Sequence, residues 1–451
     1  MVGPGGWLAA ARRAGGPKRA LGDRKIEPVT RGGARDVRHR SPRADPAAPL
    51  AGEARPLATE VTVPPGGAVS FGPAGSGHPT PPQRQATPER AASSGRPATS
   101  PHDVPPAMTP VPAAEPVLPA FGGACLSTLV PALLTHLDGD RAAEWLPEPV
   151  RRAERVVLLV LDGLGWLQLE DNGDEAPVLS SLAGGPITSV APTTTATALT
   201  SITTGLPPAE HGVVGYRMRT PQGVLNVLRW TTPGGDARRS LAPETIQPRR
   251  PFAGRQVPVV SRAEFAGTGF SDAHLAGLPL HGWRVPSSIG VEVSALLAGG
   301  ERLIYAYYDG IDKVAHERGL GEHYRAEIRF ADRLVEDLLA RLPADAALLV
   351  TADHGQVEVT RPPIEVAAAL ADDLDGLSGE GRFRWLHAKP GRATALAERS
   401  RELFSEVAWV RELEEIVEEG WFGGPLAGPV AARLGDVALV ARAPVAFLDP
   451  A

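Results

Sequence analysis

The chain has 451 residues, 43% hydrophobic but only 5% aromatic, with a net charge of −6. That supports an aliphatic core in one large domain or about two or three average ones. The charge argues against general nucleic-acid affinity, which needs clustered Lys and Arg. The single cysteine, Cys125, excludes a disulfide framework and disfavours thiolate metal sites.

Residues 1–115 differ in composition from the rest of the chain. Twenty-two of the 46 prolines fall before residue 121, and proline lacks the N–H and fixes φ, so such stretches form neither helix nor central strand. The first 55 residues carry 12 Lys and Arg against 5 Asp and Glu. A basic tail for nucleic acid or anionic lipid is one reading. Without aromatic interleaving or an amphipathic period, the expectation is a disordered Pro/Ala/Gly/Arg-rich extension, or a start codon placed too early. Trp7 to Ala11 (WLAAA) is too short for a secretory apolar region, and no run of about 18 apolar residues exists to span a membrane. The expected location is cytoplasmic.

Order is expected from about Leu118, in a domain covering residues 116–451. Leu126 to Leu137 has helical apolar spacing. Val156 to Leu161 is a continuous apolar run, as in a strand buried on both faces. Ile187 to Ala191 reads as a short strand, and Thr195 to Thr204 as a helix start. Val257 to Ser261 and Leu303 to Tyr308 are further strands. Glu322 to Leu342 is a long amphipathic helix, Ala346 to Thr351 a buried strand, and Val437 to Ala441 the last strand. Strands alternating with helices predict a mostly parallel sheet with helices on both faces. Residues 213–286, irregular and rich in Gly, Pro and Arg, are expected to form an inserted cap or long loops over the site.

The chemistry-bearing residues gather where strands end, and in an open parallel sheet the crevice beyond the strand carboxyl ends binds ligands. In RVVLLVLDGLGW, Asp162 follows a strand, and Gly163 and Gly165 allow a tight turn. Ligation of a cation and capping of the next helix are both open to it. In APTTTATALTSITTG, Thr193 and Thr194 fit helix caps. A threonine alcohol becomes a nucleophile only when a metal or base activates it, and helix-start amides favour phosphate there. His211 is expected to hydrogen-bond within its own loop. In IYAYYDGIDKVAHERG, Asp312 and His316 are four apart, on one face of a helical turn, able to share an ion or form a surface pair. Asp309 is a candidate partner for an imidazole. In LLVTADHGQVEV, Asp353 and His354 follow a buried strand, in a loop where both can face one metal. His387, in RFRWLHAKPG, is either a third imidazole for the Asp312/His316 pair or a structural histidine beside Trp385.

Four motifs in this order and spacing resemble the alkaline phosphatase superfamily, and within it the nucleotide pyrophosphatase/phosphodiesterase (type I phosphodiesterase) family. They are the strand-Asp-Gly at Asp162, P-T-x-T…T-G-x-x-P-x-x-H-G from Pro192 to Gly212, D-x-x-x-H-x-x-G from Asp312 to Gly319, and D-H-G from Asp353 to Gly355. The resemblance covers residues 155–442. It implies an alkaline-phosphatase-like three-layer α/β/α sandwich with a mostly parallel central sheet. It implies Thr195 as nucleophile, one metal held by Asp162, Thr195, Asp353 and His354, and another by Asp312, His316 and His387. The pair would be two divalent ions, zinc with manganese or iron as alternatives. One departure stands out. An asparagine of the family, twenty-one positions after the nucleophile, is Tyr216 here, followed by Arg217. Both can contact a phosphoryl oxygen, and both are candidate substrate-binding residues.

The expected activity is metal-dependent hydrolysis of phosphodiester or pyrophosphate bonds, of small phosphorylated substrates such as nucleotides, through a phosphothreonine intermediate. The alternatives are a phosphomonoesterase or phosphonate hydrolase on the same metal pair, and an inactive binding module that keeps the fold. A sulfatase is disfavoured because Cys125 lies outside these motifs.

Overall fold

The computed structural model describes residues 6–12 and 115–448. The remainder of the expected N-terminal extension lies outside the described residues.

A seven-stranded sheet holds the centre. Its order is Ala183–Ile187, Gly6–Arg12, Ala346–Thr351, Arg155–Leu161, Leu303–Tyr308, Val259–Arg262 and Leu280–Trp283. The last five run parallel. The central runs are apolar at successive positions because both faces are covered. Val156, Leu158 and Val160 enter one core, while Val157, Leu159 and Leu161 enter the other, as the two-residue period of a strand dictates. The first core contains apolar side chains of the helices Leu126–Leu137 and Thr195–Thr204. The second contains those of Ile289–Ala298 and Glu322–Arg341. In the long helix, Tyr324, Ile328, Ala331, Val335 and Leu338 recur at three- and four-residue steps and are buried. The result is the expected α/β/α sandwich with a mostly parallel sheet.

Three features depart from the sequence reading. Gly6–Arg12, expected within a disordered extension, is a strand inside the central sheet, antiparallel to both neighbours. Its side chains alternate between the two cores, Leu8 and Ala10 in one, Trp7 and Ala9 in the other. It fits beside Ala183–Ile187 because Gly184 has no side chain. The Leu8 carbonyl occupies the place a Cβ would take. Second, the short strand expected at Ile187 to Ala191 instead ends at Ile187, and Thr188 makes only an isolated bridge to Cys125. Third, residues 213–286 divide. Arg217–Thr220, Gly223–Asn226, Thr231–Thr232 and Gly235–Asp236 form a small antiparallel sheet, whereas Val259–Arg262 and Leu280–Trp283 complete the central one. Val437–Ala441 is a strand as expected. It lies in a separate antiparallel sheet with Leu374–Glu380, Phe383–Ala388 and Ala408–Glu412. That sheet has its own core around Leu386, Leu439, Phe404 and Phe447.

The N-terminal strand also touches the loop beyond Arg155–Leu161. Trp7 is fully buried, and its indole N–H donates to the Leu164 carbonyl at 2.5 Å. Trp7→Ala is therefore expected to lower unfolding stability by about 3–5 kcal/mol, read from urea or guanidinium titration. An unchanged midpoint would show that this strand carries no part of the core.

Three buried histidines tie the fold to pH. Burial holds His211 at about 3, and His274 and His387 each at about 4. All are neutral in the folded chain at pH 7. The unfolded chain binds their protons near pH 6.5, so it holds more protons than the native state below that value. Their stabilising effect is complete above pH 6.5 and is lost as pH falls towards 4, with a slope of up to about 1.4 kcal/mol per pH unit for each. His387→Gln should flatten the dependence of stability on pH between about 6 and 4. A slope identical to wild type would contradict this.

Candidate metal centre

The parallel strands end together, with Leu161 level with Tyr308 and Val160 level with Thr351. The residues just beyond therefore share one rim. Asp162 sits in the turn after its strand and is 2% exposed. Its Oδ2 accepts a hydrogen bond from the Tyr307 hydroxyl, and its Oδ1 lies 3.2 Å from His354 Nε2. Asp353 is fully buried. Its Oδ1 accepts from the main-chain N–H groups of Gly163, at 3.2 Å, and His354, at 3.0 Å. Its Oδ2 lies 3.7 Å from His354 Nε2. Asp312 occupies the first turn of the helix Gly310–Arg318, with His316 one turn on and Nε2 3.4 Å from Asp312 Oδ1.

These charges act on one another. Burial, then the neighbouring Asp353 and Asp312 carboxylates, push the Asp162 carboxyl well above the usual range. Burial also raises Asp353. Burial acts in the same direction on Asp312, but the His316 hydrogen bond and the His354 charge outweigh it, and that carboxyl falls below its ordinary value. Burial would lower His354, yet Asp353, Asp162 and Asp312 together raise it well above 6.5. The hydrogen bond to Asp312 raises His316.

Thr195 opens the helix Thr195–Thr204, whose first-turn amides lack intrahelical acceptors. Its hydroxyl lies 2.9 Å from His354 Nε2, bringing the alcohol to the same imidazole as the carboxylates. Asp162 Oδ1 and Asp353 Oδ2 are buried with no hydrogen-bond partner among the described residues. Asp162, Asp312 and His354 each place a ligand atom within 4.8 Å of the other two. Orphaned carboxylate oxygens with an imidazole nitrogen among them fit a divalent cation.

Thus Asp162, Asp312, Asp353, His354, His316 and Thr195 meet. His387 does not join them, which corrects its expected place with Asp312 and His316. It lies in Phe383–Ala388, in the separate antiparallel sheet, where Nε2 is 2.7 Å from Ser378 Oγ. The charges that act on it belong to Arg219, Asp436 and Asp375. Among the described residues Asp309 partners no imidazole. It accepts from Arg262 at 2.7 Å. His211 hydrogen-bonds within its own loop at Nδ1, which accepts from the Val213 N–H at 3.1 Å, and reaches outside the loop at Nε2, 2.8 Å from Ser201 Oγ of the helix Thr195–Thr204.

Two cavities open onto the centre. One, about 880 Å³, is lined by Thr195, His354, Tyr216, Glu380 and Arg382 among others. The other, about 900 Å³, has largely apolar walls that include Phe265, Phe270, Leu275 and Leu278. Thr195, Leu228, Asp312 and His316 line both. Tyr216 thus faces the site, its hydroxyl accepting from Asn226 Nδ2 at 2.7 Å. Arg217 begins the strand Arg217–Thr220 and lines neither cavity.

Sequence reasoning missed four contributors. Tyr307 and Glu380 hold no motif position, although Tyr305 and Tyr307 share one strand face by their spacing. Burial raises the Glu380 carboxyl, opposed by a hydrogen bond with Thr194, and its Oε1 has no hydrogen-bond partner among the described residues. Gln168 and Gln356 flank the motifs, and Gln356 immediately follows Asp-His-Gly.

No curated protein matches this chain. Among solved structures, murine ectonucleotide pyrophosphatase / phosphodiesterase 5 is 16% identical at a TM-score of 0.49, covering 65% of this chain and 80% of that one. Phosphonoacetate hydrolase from Sinorhizobium meliloti 1021, in complex with phosphonoformate, is 18% identical at 0.46, covering 67% and 83%. The family model described as type I phosphodiesterase / nucleotide pyrophosphatase matches residues 156–295 and 291–449, nearly the whole of the segment that carries the rim residues and both cavities. The chain belongs to the type I phosphodiesterase / nucleotide pyrophosphatase family.

Proposed function

We propose that this protein hydrolyses phosphodiester or pyrophosphate bonds of small substrates, nucleotides among them, with Thr195 as nucleophile. The observation that carries this reading is the meeting of two cavities at Thr195, Asp312 and His316. A diester has an organic group on each side of phosphorus, and each chamber can take one. A monoester or a small phosphonate would leave one chamber without an occupant.

Asp162, Asp353 and His354 would hold one divalent cation with Thr195, and Asp312 and His316 would hold the second. Zinc suits this donor set, with manganese or iron as alternatives. When bound, such cations neutralise phosphoryl charge and acidify an alcohol or a water. The protein supplies placement. The Thr195 hydroxyl is fixed at the start of a helix, where amides that lack acceptors can receive the equatorial phosphoryl oxygens. Attack forms the Thr195 O–P bond as the bond from phosphorus to the leaving oxygen breaks. The threonine proton passes to solvent, and the departing oxygen is protonated from solvent. Water then attacks phosphorus and releases Thr195 and the phosphoryl product. With Asn226 donating to it, the Tyr216 hydroxyl keeps its own proton to offer a phosphoryl oxygen. No helix among the described residues is long and apolar enough to cross a membrane. Cys125 is an unpaired, buried thiol, which suits the reducing cytoplasm.

Thr195→Ala is expected to reduce cation-dependent turnover of bis(p-nitrophenyl) phosphate by about 10³-fold or more. Full turnover in that variant would remove the nucleophile assignment. For the wild type, kcat/KM for this diester should exceed that for p-nitrophenyl phosphate. A preference for the monoester of about tenfold or more would favour the phosphomonoesterase reading instead.

A further inference from the structure

Gln168 and Gln356 form a connected pair at the edge of the metal centre. Gln168 lies in the helix Trp166–Asp171, and its side-chain amide grips the main chain of Gln356 at both ends. Nε2 donates to the Gln356 carbonyl at 2.9 Å, and Oε1 accepts from the Gln356 N–H at 3.2 Å. Gln356, so held, donates from its own Nε2 to Asp312 Oδ1 at 2.6 Å. The carboxylate is an acceptor only, so the amide can present only its nitrogen there.

The surrounding glycines make room for this pair. A Cβ on Gly163 would come within 2.6 Å of Gln356 Nε2 and 3.0 Å of Asp312 Cβ. One on Gly165 would meet Gly355 Cα at 2.6 Å and Gln168 Oε1 at 2.7 Å, and one on Gly355 would meet the same Oε1 at 2.4 Å. Gly165 has φ −66, open to any residue. What excludes a side chain there is the Gly355 main chain, with the Gln168 amide beside it, not the backbone angle. Two motif loops that carry cation ligands, Asp162 to Gly165 and Asp353 to Gln356, thus pack closely on one another and on one amide network that ends on a third ligand.

We infer that Gln356, braced by Gln168, is a positioning residue for the second cation, fixing the Asp312 carboxylate where His387 supplies no third ligand. This rests on the two-cation reading above. Hydrogen bonds that orient a ligand typically govern metal affinity by about 10–100-fold. Residues that act in series lose that effect only once, so their variants are not additive.

The test measures Zn2+ affinities of the full chain by competition with a chelating dye, with thermal unfolding of the zinc-free protein alongside. Gln356→Met keeps the volume and removes the amide. It should weaken one of the two zinc equilibria by about 10–100-fold, leave the other within about twofold and leave the zinc-free Tm unchanged. Gln168→Met should weaken the same equilibrium, and Gln168→Met/Gln356→Met should be no worse than Gln356→Met alone. Should Gln356→Met fail to fold, Gln356→Asn, which keeps the amide but is too short to reach Asp312, should show the same selective loss. Both affinities unchanged, both weakened together with a lowered Tm, or fully additive losses would each overturn the inference. A wild-type chain that binds fewer than two zinc ions would instead bring down the two-cation reading, and this inference with it.

Discussion

The carboxylates of Asp162, Asp312 and Asp353 converge on the His354 imidazole, and two of the three are removed from water. Buried like charges are costly, because the low-dielectric interior strengthens their repulsion and strips their hydration. Ionised, the three carboxylates carry three negative charges, and an imidazole that ligates a cation is neutral and offsets none of them. The Tyr307 hydroxyl and the main-chain amides of Gly163 and His354 reduce the cost without removing it. Asp353 Oδ2 has no hydrogen-bond partner among the described residues, and the nearest nitrogen to Asp162 Oδ1 is the His354 imidazole itself. A divalent cation supplies the charge this cluster lacks, and the rest of the site is arranged around that requirement. Thr195 is on the same imidazole, and both cavities reach Thr195 and Asp312.

The scaffold that enforces this convergence is the set of parallel strands Arg155–Leu161, Leu303–Tyr308 and Ala346–Thr351, which end level with one another. Their packing on both faces makes the positions of the loops a consequence of the core. The Asp162 loop is held from two further directions, by Trp7 on the Leu164 carbonyl and by Asp353 on the Gly163 amide. The site and the fold are therefore coupled through a strand far from the centre in sequence.

Much of this was legible in the chain. Val156 to Leu161, Leu303 to Tyr308 and Ala346 to Thr351 announce themselves because a strand covered on both faces needs apolar residues at successive positions. Asp162, Asp312, His316, Asp353, His354 and Thr195 were legible because motif spacing fixes them at strand ends and helix starts. Gly6–Arg12 was not, because its alanines have weak strand preference and its partners lie more than 170 residues away. Leu374–Glu380 and Phe383–Ala388 were hidden by the Gly and Arg content of LDGLSGEGRFRWLHA, where pairing, not propensity, decides the outcome. His387 has only its place as the last histidine to recommend it as a ligand. Cross-strand register puts it beside Ser378, away from the rim. Gln168 and Gln356 carry no local signature at all, since what matters is a reciprocal contact between residues 188 apart.

Anomalous diffraction from crystals of the full chain grown with zinc, with data on either side of the zinc absorption edge, addresses the centre most directly. Two anomalous peaks are expected at the strand rim, one in contact with Asp162, Asp353 and His354, the other with Asp312 and His316, and none beside His387. No peak at the rim, or zinc bound by His387 together with Asp312, would refute the two-cation centre.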